Sequence, residues 1–373
     1  MKRRDAVRML TTGGVALAAL HPRRLVAGDS TDHGSTRILA ADPLPATGPW
    51  PTDDPFLFCV YHRDRYPQGN QHFGPKANLS GRRLGHDFSN LDGWSMYHGK
   101  TVPGFPRHPH RGFETITVVQ SGLIDHADSL GAIARYGEGD VQWLTAGDGI
   151  NHAEMFPLLN SAAPNPIDFF QIWLNLPAAR KRVTPDFDML WGPSIPTVTS
   201  LDAMGRPTRV RVVAGRYGER VPPRPPKASY AAEPRADFAL WVITMSPGAQ
   251  WRLPAAGSAA KRSLYVTTGA GLHLHGEPVN PRTRVQLQAN LACQLHNGKE
   301  SSQLLLLQAR PLGEPVVKHG PFVMNTRAEI QEAYYDYRRT GFGGWSWREN
   351  GPVHGATPDR FARWPDGRRD QPS

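Results

Sequence analysis

The chain has 373 residues, 39% of them hydrophobic, with 37 Gly, 35 Pro and a formal net charge of +10. That length can bury a large core and suggests two domains, while no apolar run approaches the 20 residues of a transmembrane helix. No basic cluster is interleaved with aromatic residues, so charge gives no case for nucleic-acid binding.

Residues 1–28 carry much of the basic excess: Lys2, Arg3, Arg4, Arg8, Arg23 and Arg24 outweigh Asp5 by five charges. Arg3 and Arg4 precede a short, mildly apolar stretch at 11–20. A twin arginine before such a stretch resembles a bacterial twin-arginine export signal, although Ala6 and Val7 stand where an aromatic residue or leucine is usual. The expected location is the periplasm, reached in a folded state; a retained N-terminus would leave the protein in the cytoplasm. Residues 29–53 are polar, rich in Pro, Gly and Thr, and read as a linker.

Phe56 to Tyr61 reads as an apolar strand holding Cys59, and the chain then loses periodicity up to residue 103, as in a long loop. Cys59 and Cys293 are the only cysteines. Neither lies in a CxxC context, and both are expected as buried thiols. Residues 104–176 are strand-rich. Thr115 to Val119 is β-branched, Gly122, Gly131 and Gly137–Asp140 mark turns, and Phe169 to Leu176 reads as a buried strand. Residues 177–207 read as a Pro-rich connection. A second β-rich run follows at Arg209–Gly215, Ala239–Met245, Ser263–Thr268 and Ser302–Gln308. Thr326 and Glu329 form a capping-box pattern for a short helix. Its buried face would carry Ile330, Ala333, Tyr334 and Tyr337, and Gly341 would end it. The tail from 347 to 373 is polar and Arg-rich, and is expected as a loosely packed strap. The fold class is all-β: two β-barrels with a short C-terminal helix.

Two short motifs point to chemistry. His108-Pro109-His110 spaces two imidazoles by two residues, which on a strand puts both on one face. His152 and Glu154 share the same parity. Two such strands facing each other inside a barrel would bring three imidazoles and a carboxylate to one point, a donor set suited to a divalent transition metal with open positions. Metal-bound histidines need an acceptor at the other ring nitrogen; Asp140, Asp148 and turn carbonyls are candidates. Gln142, Trp143 and Gln171 are candidates to face inward near the motif strands, and Phe105 and Met155 to line the mouth, although such residues are more often packing. His273-Leu274-His275 is a second H-x-H, read as outward-facing. In the second β run, Trp251 and Leu253 stand where ligands would be needed, so that barrel is expected to hold no metal.

The run from Gly104 through His108, His110, Gly112 and Glu114, on to Gly139–Gly149 and His152–Met155, resembles the pirin family of the cupin superfamily. The block from Pro315 through His319, Gly320 and Asn325 to Trp345 resembles the C-terminal end of pirins. The likeness extends from about Asp54 to Trp345. It implies a bicupin with an N-terminal metal-binding cupin at 54–185 and a metal-free C-terminal cupin at 186–346. The common cupin pattern would make Glu114 the carboxylate ligand, whereas pirins use the later glutamate; the resemblance therefore favours His108, His110, His152 and Glu154, with Glu114 the alternative. Iron(II) is the expected metal, with manganese, nickel, copper and zinc compatible with the same donors. Some pirins open flavonols such as quercetin with O₂, which implies a metal-dependent dioxygenase with Glu154 as catalytic base, a small aromatic substrate and O₂. The alternative is a non-catalytic, metal- or redox-responsive binding protein. A monomer is expected, with no nucleic-acid partner and no membrane contact in the mature form.

Overall fold

The computed structural model describes residues 37–373. The expected export signal, with Arg3 and Arg4, lies outside them. In chain order the first strands are β1 (Ile38–Pro43), β2 (Phe56–Tyr66), β3 (Gly104–His110), β4 (Phe113–Ser121), β5 (Leu123–Asp128), β6 (Ile133–Gly137), β7 (Val141–Thr145), β8 (Ile150–Met155), β9 (Asn165–Asn175) and β10 (Asp186–Leu190). There follow β11 (Thr197–Leu201), β12 (Pro207–Ala214), β13 (Ala239–Met245), β14 (Gln250–Leu253), β15 (Lys261–Thr268), β16 (Leu272–Leu274), β17 (Glu277–Val279), β18 (Thr283–Leu287), β19 (Cys293–His296) and β20 (Ser302–Ala309). The remainder is β21 (Val317–His319), β22 (Phe322–Met324), the helix α1 (Arg327–Thr340), β23 (Phe361–Arg363) and β24 (Arg369–Asp370). Among the described residues the all-β expectation, two barrels with a short C-terminal helix, holds.

The chain forms two compact units. The first comprises Val60–Pro193 and Glu314–Ser373; the second comprises Ser194–Gly313 and the described residues up to Cys59. Both differ from the boundaries read from sequence. The supposed linker contains β1, which pairs antiparallel with β18. The supposed connection at 177–207 contains β10, paired with β7, and β11, paired with β12. The helix and the tail cluster with the first unit.

In the first unit a five-stranded sheet, β10-β7-β4-β9-β2, and a six-stranded sheet, β24-β23-β6-β5-β8-β3, enclose one core. Val119, Leu144, Phe169 and Phe187 of the former meet Ile124, Ala134, Tyr136 and Ile150 of the latter. Register decides which residues face that interior. β4 pairs with β9 as Thr115↔Trp173, Thr117↔Gln171 and Val119↔Phe169. These residues share one face of the sheet, because side chains alternate along a strand. Glu114, Ile116 and Val118 take the opposite face.

The tail is not loose. Phe361 pairs with Arg135 and Ala362 with Ala134, extending the six-stranded sheet. A buried carboxylate and guanidinium hold the approach to it. Arg135 donates to Asp125 through Nε and Nη2, each at 2.7 Å, and to the Gly355 and Thr357 carbonyls. Asp125 also accepts from His354 N at 2.8 Å. Neither side chain has water access, so the tail supplies hydrogen bonds that the pair would otherwise lack.

α1 has the expected capping box, with Glu329 N donating to Thr326 Oγ1 and Thr326 N to Glu329 Oε2. Ile330, Ala333 and Tyr337 are buried, and Gly341 ends the helix in the left-handed region at φ 59°. In the second unit, a seven-stranded sheet (β1-β18-β15-β20-β13-β12-β11) and a four-stranded sheet (β14-β19-β16-β17) surround an apolar interior. Trp251 and Leu253 are buried in that interior, and His273 is exposed. Cys59 and Cys293 are buried free thiols.

Candidate metal centre

His108 and His110 lie on β3, and His152 and Glu154 on β8. The two strands are neighbours in one sheet rather than facing walls: His108 pairs with His152, His110 with Ile150 and Phe105 with Glu154. Three residues of β3 span what two residues of β8 span, which is a bulge between Phe105 and His108. The extra residue puts an odd-numbered Phe105 and an even-numbered His108 on the same face. β3 is an edge strand, where Pro106 and Pro109 cost no ladder hydrogen bond.

The turn after His110 is clamped from three sides. Arg111 donates from Nε to the Asp148 carbonyl at 2.6 Å and from Nη1 to Asp336 of α1 at 2.9 Å. Lys181 donates to the Gly112 carbonyl at 2.8 Å and to Asn175 at 2.7 Å; burial lowers its ammonium to about 8. Gly112 has φ 84°, and a Cβ there would lie 2.0 Å from the Val323 carbonyl oxygen, so only glycine fits.

Ring nitrogens of His108, His110 and His152 all lie within 4.8 Å of one another. The rings are 4.4 to 5.0 Å apart between centroids. His110 and His152 are buried and His108 is part-exposed, which gives the cluster an open side. His108 Nδ1 is bonded to the Pro106 carbonyl at 3.0 Å, which fixes the tautomer with Nε2 bare. The carbonyl at Pro106, not Asp140 or Asp148, is thus its acceptor: Asp140 binds Gly137 N, Gly192 N and Arg360, and Asp148 binds Arg111 and Arg182. His152 has hydrogen-bond partners at neither ring nitrogen, and His110 has none at Nδ1. Burial lowers the imidazoles far below their usual value, His108 to about 4, with neighbouring imidazoles adding to the effect at His110 and His152. Neutral, convergent imidazoles with ring nitrogens left free are the state a metal needs.

Glu154 Oε2 lies 3.9 Å from His152 Nε2. Gln171 donates to Oε2 at 3.3 Å and Tyr136 to Oε1 at 3.4 Å. The Thr117 hydroxyl lies 3.1 Å from Oε1 and 2.9 Å from Gln171 Oε1. Burial pushes the carboxyl up, opposed by His126 and these hydrogen bonds. Glu114 is on the other face of β4, is fully buried, and accepts from Thr145 Oγ1 at 2.8 Å. Of the inward-facing candidates, Gln171 reaches Glu154. Gln142 pairs with Thr117 and shares its face, with neither amide atom bonded. Trp143 takes the opposite face. Phe105 is part-exposed beside His108, and Met155 is buried.

Sequence reading missed His126, Thr117 and Tyr136. His126 pairs across the ladder with Glu154, and Asp128 with His152. The His126 ring is 5.6 Å from that of His152 and its Nε2 lies 3.2 Å from Asp128. The His-x-Asp spacing on β5 was a visible signal; which strand it would pair with was not.

The family model for Pirin matches residues 69–174, and that for the Pirin C-terminal cupin domain matches residues 240–343. A Pseudomonas aeruginosa protein provisionally named quercetin 2,3-dioxygenase is 35% identical over 246 residues, covering 64% of this chain and 79% of the relative. Human pirin is 32% identical over 268 residues, covering 69% and 85%. The chain belongs to the pirin family. Among solved structures, a crystal structure of quercetin 2,3-dioxygenase from Acinetobacter baumannii superposes with a TM-score of 0.63 at 26% identity, covering 82% of this pirin and 98% of that chain. The described residues of this pirin hold one cluster of three or more potential metal-binding side chains, His108, His110 and His152, and it lies in the N-terminal half.

Proposed function

We propose that this pirin is a metal-dependent dioxygenase acting on quercetin-like flavonols or other aromatic enols. One divalent transition metal, iron(II) by preference, would be held by His108, His110, His152 and Glu154. The observation that carries the reading is the set of buried, unpartnered ring nitrogens of His110 and His152 converging with His108 beside a buried carboxylate. Unbonded polar atoms are costly inside a protein unless something completes them. When bound, the ion would supply Lewis-acid and redox chemistry toward O₂.

The chain's own part is orientation and proton transfer. Glu154 accepts the hydroxyl proton of the arriving substrate, and Gln171, Tyr136 and Thr117 hold its two oxygens for that transfer. Phe105 and Trp173, the latter 5.3 Å from His110 between ring centroids, offer aromatic faces to the substrate ring and exclude water. The names of the Pseudomonas and Acinetobacter relatives support the substrate class. We further propose export through the twin-arginine route, on the Arg3-Arg4 pattern.

Elemental analysis of protein purified without nickel affinity, joined to O₂ uptake with a panel of flavonols and catechols, tests the reading. One metal per chain and flavonol-dependent O₂ uptake are expected. Bound metal with no uptake would favour the non-catalytic binding protein instead.

A further inference from the structure

Besides the cluster just described, the first unit holds a second buried chain of titratable groups. His62 on β2, Tyr97 and Asp64 are linked in series. Tyr97 donates its hydroxyl proton to Asp64 Oδ2 at 2.7 Å, and His62 Nδ1 lies 2.8 Å from the same hydroxyl. Since the tyrosine proton goes to Asp64, His62 must donate from Nδ1, which leaves Nε2 as a bare acceptor. Burial lowers the His62 imidazole to about 3 and raises the Asp64 carboxyl to about 6. At neutral pH the ring is therefore neutral and the carboxylate charged, as this proton order requires.

The place of His62 matters as much as its tautomer. Its ring stacks on Phe169 at 4.6 Å and meets Phe105 edge-on at 5.8 Å. Phe169 is one same-face step, roughly 7 Å along β9, from Gln171, which bonds Glu154. Phe105 is the ladder partner of Glu154. His62 thus faces the same interior as the candidate metal centre from the opposite sheet, beyond Phe105 and Phe169.

Holding the loop that carries Tyr97 does not require His62. Asp64 accepts from both Tyr97 and Ser95 N, the latter at 2.8 Å. Asp87 and Tyr97 exchange backbone hydrogen bonds, and Arg82 ties Asp87 to the Leu91 and Trp94 carbonyls. With the loop already held, a buried imidazole is an added cost. Tyr97 itself sits at φ 55°, a conformation unfavourable for a bulky residue that is found where structure serves a site.

We propose that His62 is a specificity-determining residue: its Nε2 accepts a hydrogen bond from a hydroxyl at the end of an aromatic substrate remote from the metal ligands, with Tyr97 and Asp64 as positioning residues. This rests on the flavonol reading above. The substrate class it selects is a polyhydroxylated multi-ring aromatic over one lacking the distal hydroxyl.

The test compares two probes, quercetin and 3-hydroxyflavone, which share the flavonol head but differ in distal hydroxyls. Their binding to the metal-loaded protein is followed by quenching of tryptophan fluorescence, with metal content and thermal unfolding measured on each variant. His62→Phe is expected to weaken quercetin about tenfold, the worth of one hydrogen bond, and to leave 3-hydroxyflavone unchanged. Where turnover is measurable, KM for quercetin rises with kcat held. If His62→Phe does not fold, His62→Asn, whose amide can keep the Nδ1 bond to Tyr97 but does not reach the Nε2 position, gives the same comparison. Equal weakening of both probes, or of neither, overturns the proposal, as does wild-type protein that binds both equally. Selective quercetin binding lost in His62→Phe, without O₂ uptake by any form, upholds the role of His62 while refuting the dioxygenase reading.

Discussion

His152→Phe separates the cost of the site from its use. Both ring nitrogens of His152 are buried without hydrogen-bond partners, and a buried unpaired polar group costs about 1–3 kcal/mol. Phenylalanine keeps a flat ring in the pocket and removes both atoms, against a packing mismatch of about 1 kcal/mol. Metal-free His152→Phe is therefore expected to be at least as stable as wild type, with a gain of up to about 2 kcal/mol. For a unit of this size 1 kcal/mol moves Tm by about 2–4 °C, so Tm should hold or rise by up to about 8 °C. Metal at a hundred times its Kd adds about 2.7 kcal/mol to a protein that binds it only when folded. That is about 5–11 °C for wild type and none for the variant. Thermal unfolding followed by circular dichroism, with and without a divalent transition metal, reads both effects, and the order of the two proteins should invert on adding metal. A metal-free variant melting well below wild type, yet still stabilised by metal, would refute the reasoning.

Glu154→Gln should weaken metal retention more than Glu114→Gln, because Glu114 faces away from the histidines; elemental analysis giving the reverse order overturns the carboxylate assignment. The metal-free protein should lose stability as pH falls from 7 to 6. The unfolded chain takes up protons on histidine near 6.5, whereas folded His62 and His108 stay neutral down to about 3 and 4, so protons favour unfolding in that window. Asp64, raised to about 6, is half protonated by that pH and offsets only part of the loss, and a melting series at half-unit pH steps would show a flat profile above 6 if the imidazoles were not buried neutral. A reporter fused after residue 28 should be exported with Arg3 and Arg4 intact and retained with lysine at both positions, as cell fractionation would show; export indifferent to the change refutes the twin-arginine reading.

What could be read from sequence was what local spacing encodes. His108 and His110 share a face because strand side chains repeat every two residues, and the same parity joins His152 to Glu154. The α1 caps are local too, and Thr326, Glu329 and Gly341 were legible for that reason. What could not be read depends on pairing between distant strands. The bulge that brings Phe105 to the His108 face is visible only against β8. The neighbours of Glu154 come from β4, β6 and β9, and nothing near residue 154 names them. The polar tail looked loose because its partners, Asp125 and Arg135, are buried charges some 220 residues earlier, and buried charge is what composition alone least predicts.

The division of the first unit into Val60–Pro193 and Glu314–Ser373 sets a schedule for the ribosome. The histidines and Glu154 are synthesised early, but Asp336, which anchors Arg111, and the segment that closes over Asp125 and Arg135 follow only after the second unit has been made. At ordinary elongation rates of about 5–20 residues per second, the interval from residue 154 to residue 357 is roughly 10–40 s. Through that time all four candidate ligands have been made, while the anchor of Arg111 and the cover over Asp125 and Arg135 have not, so a metal met in that interval is met by an unfinished site. The finished arrangement can select only after this interval, so the metal first taken up and the metal finally retained are separate questions, one of cellular supply and the other of geometry.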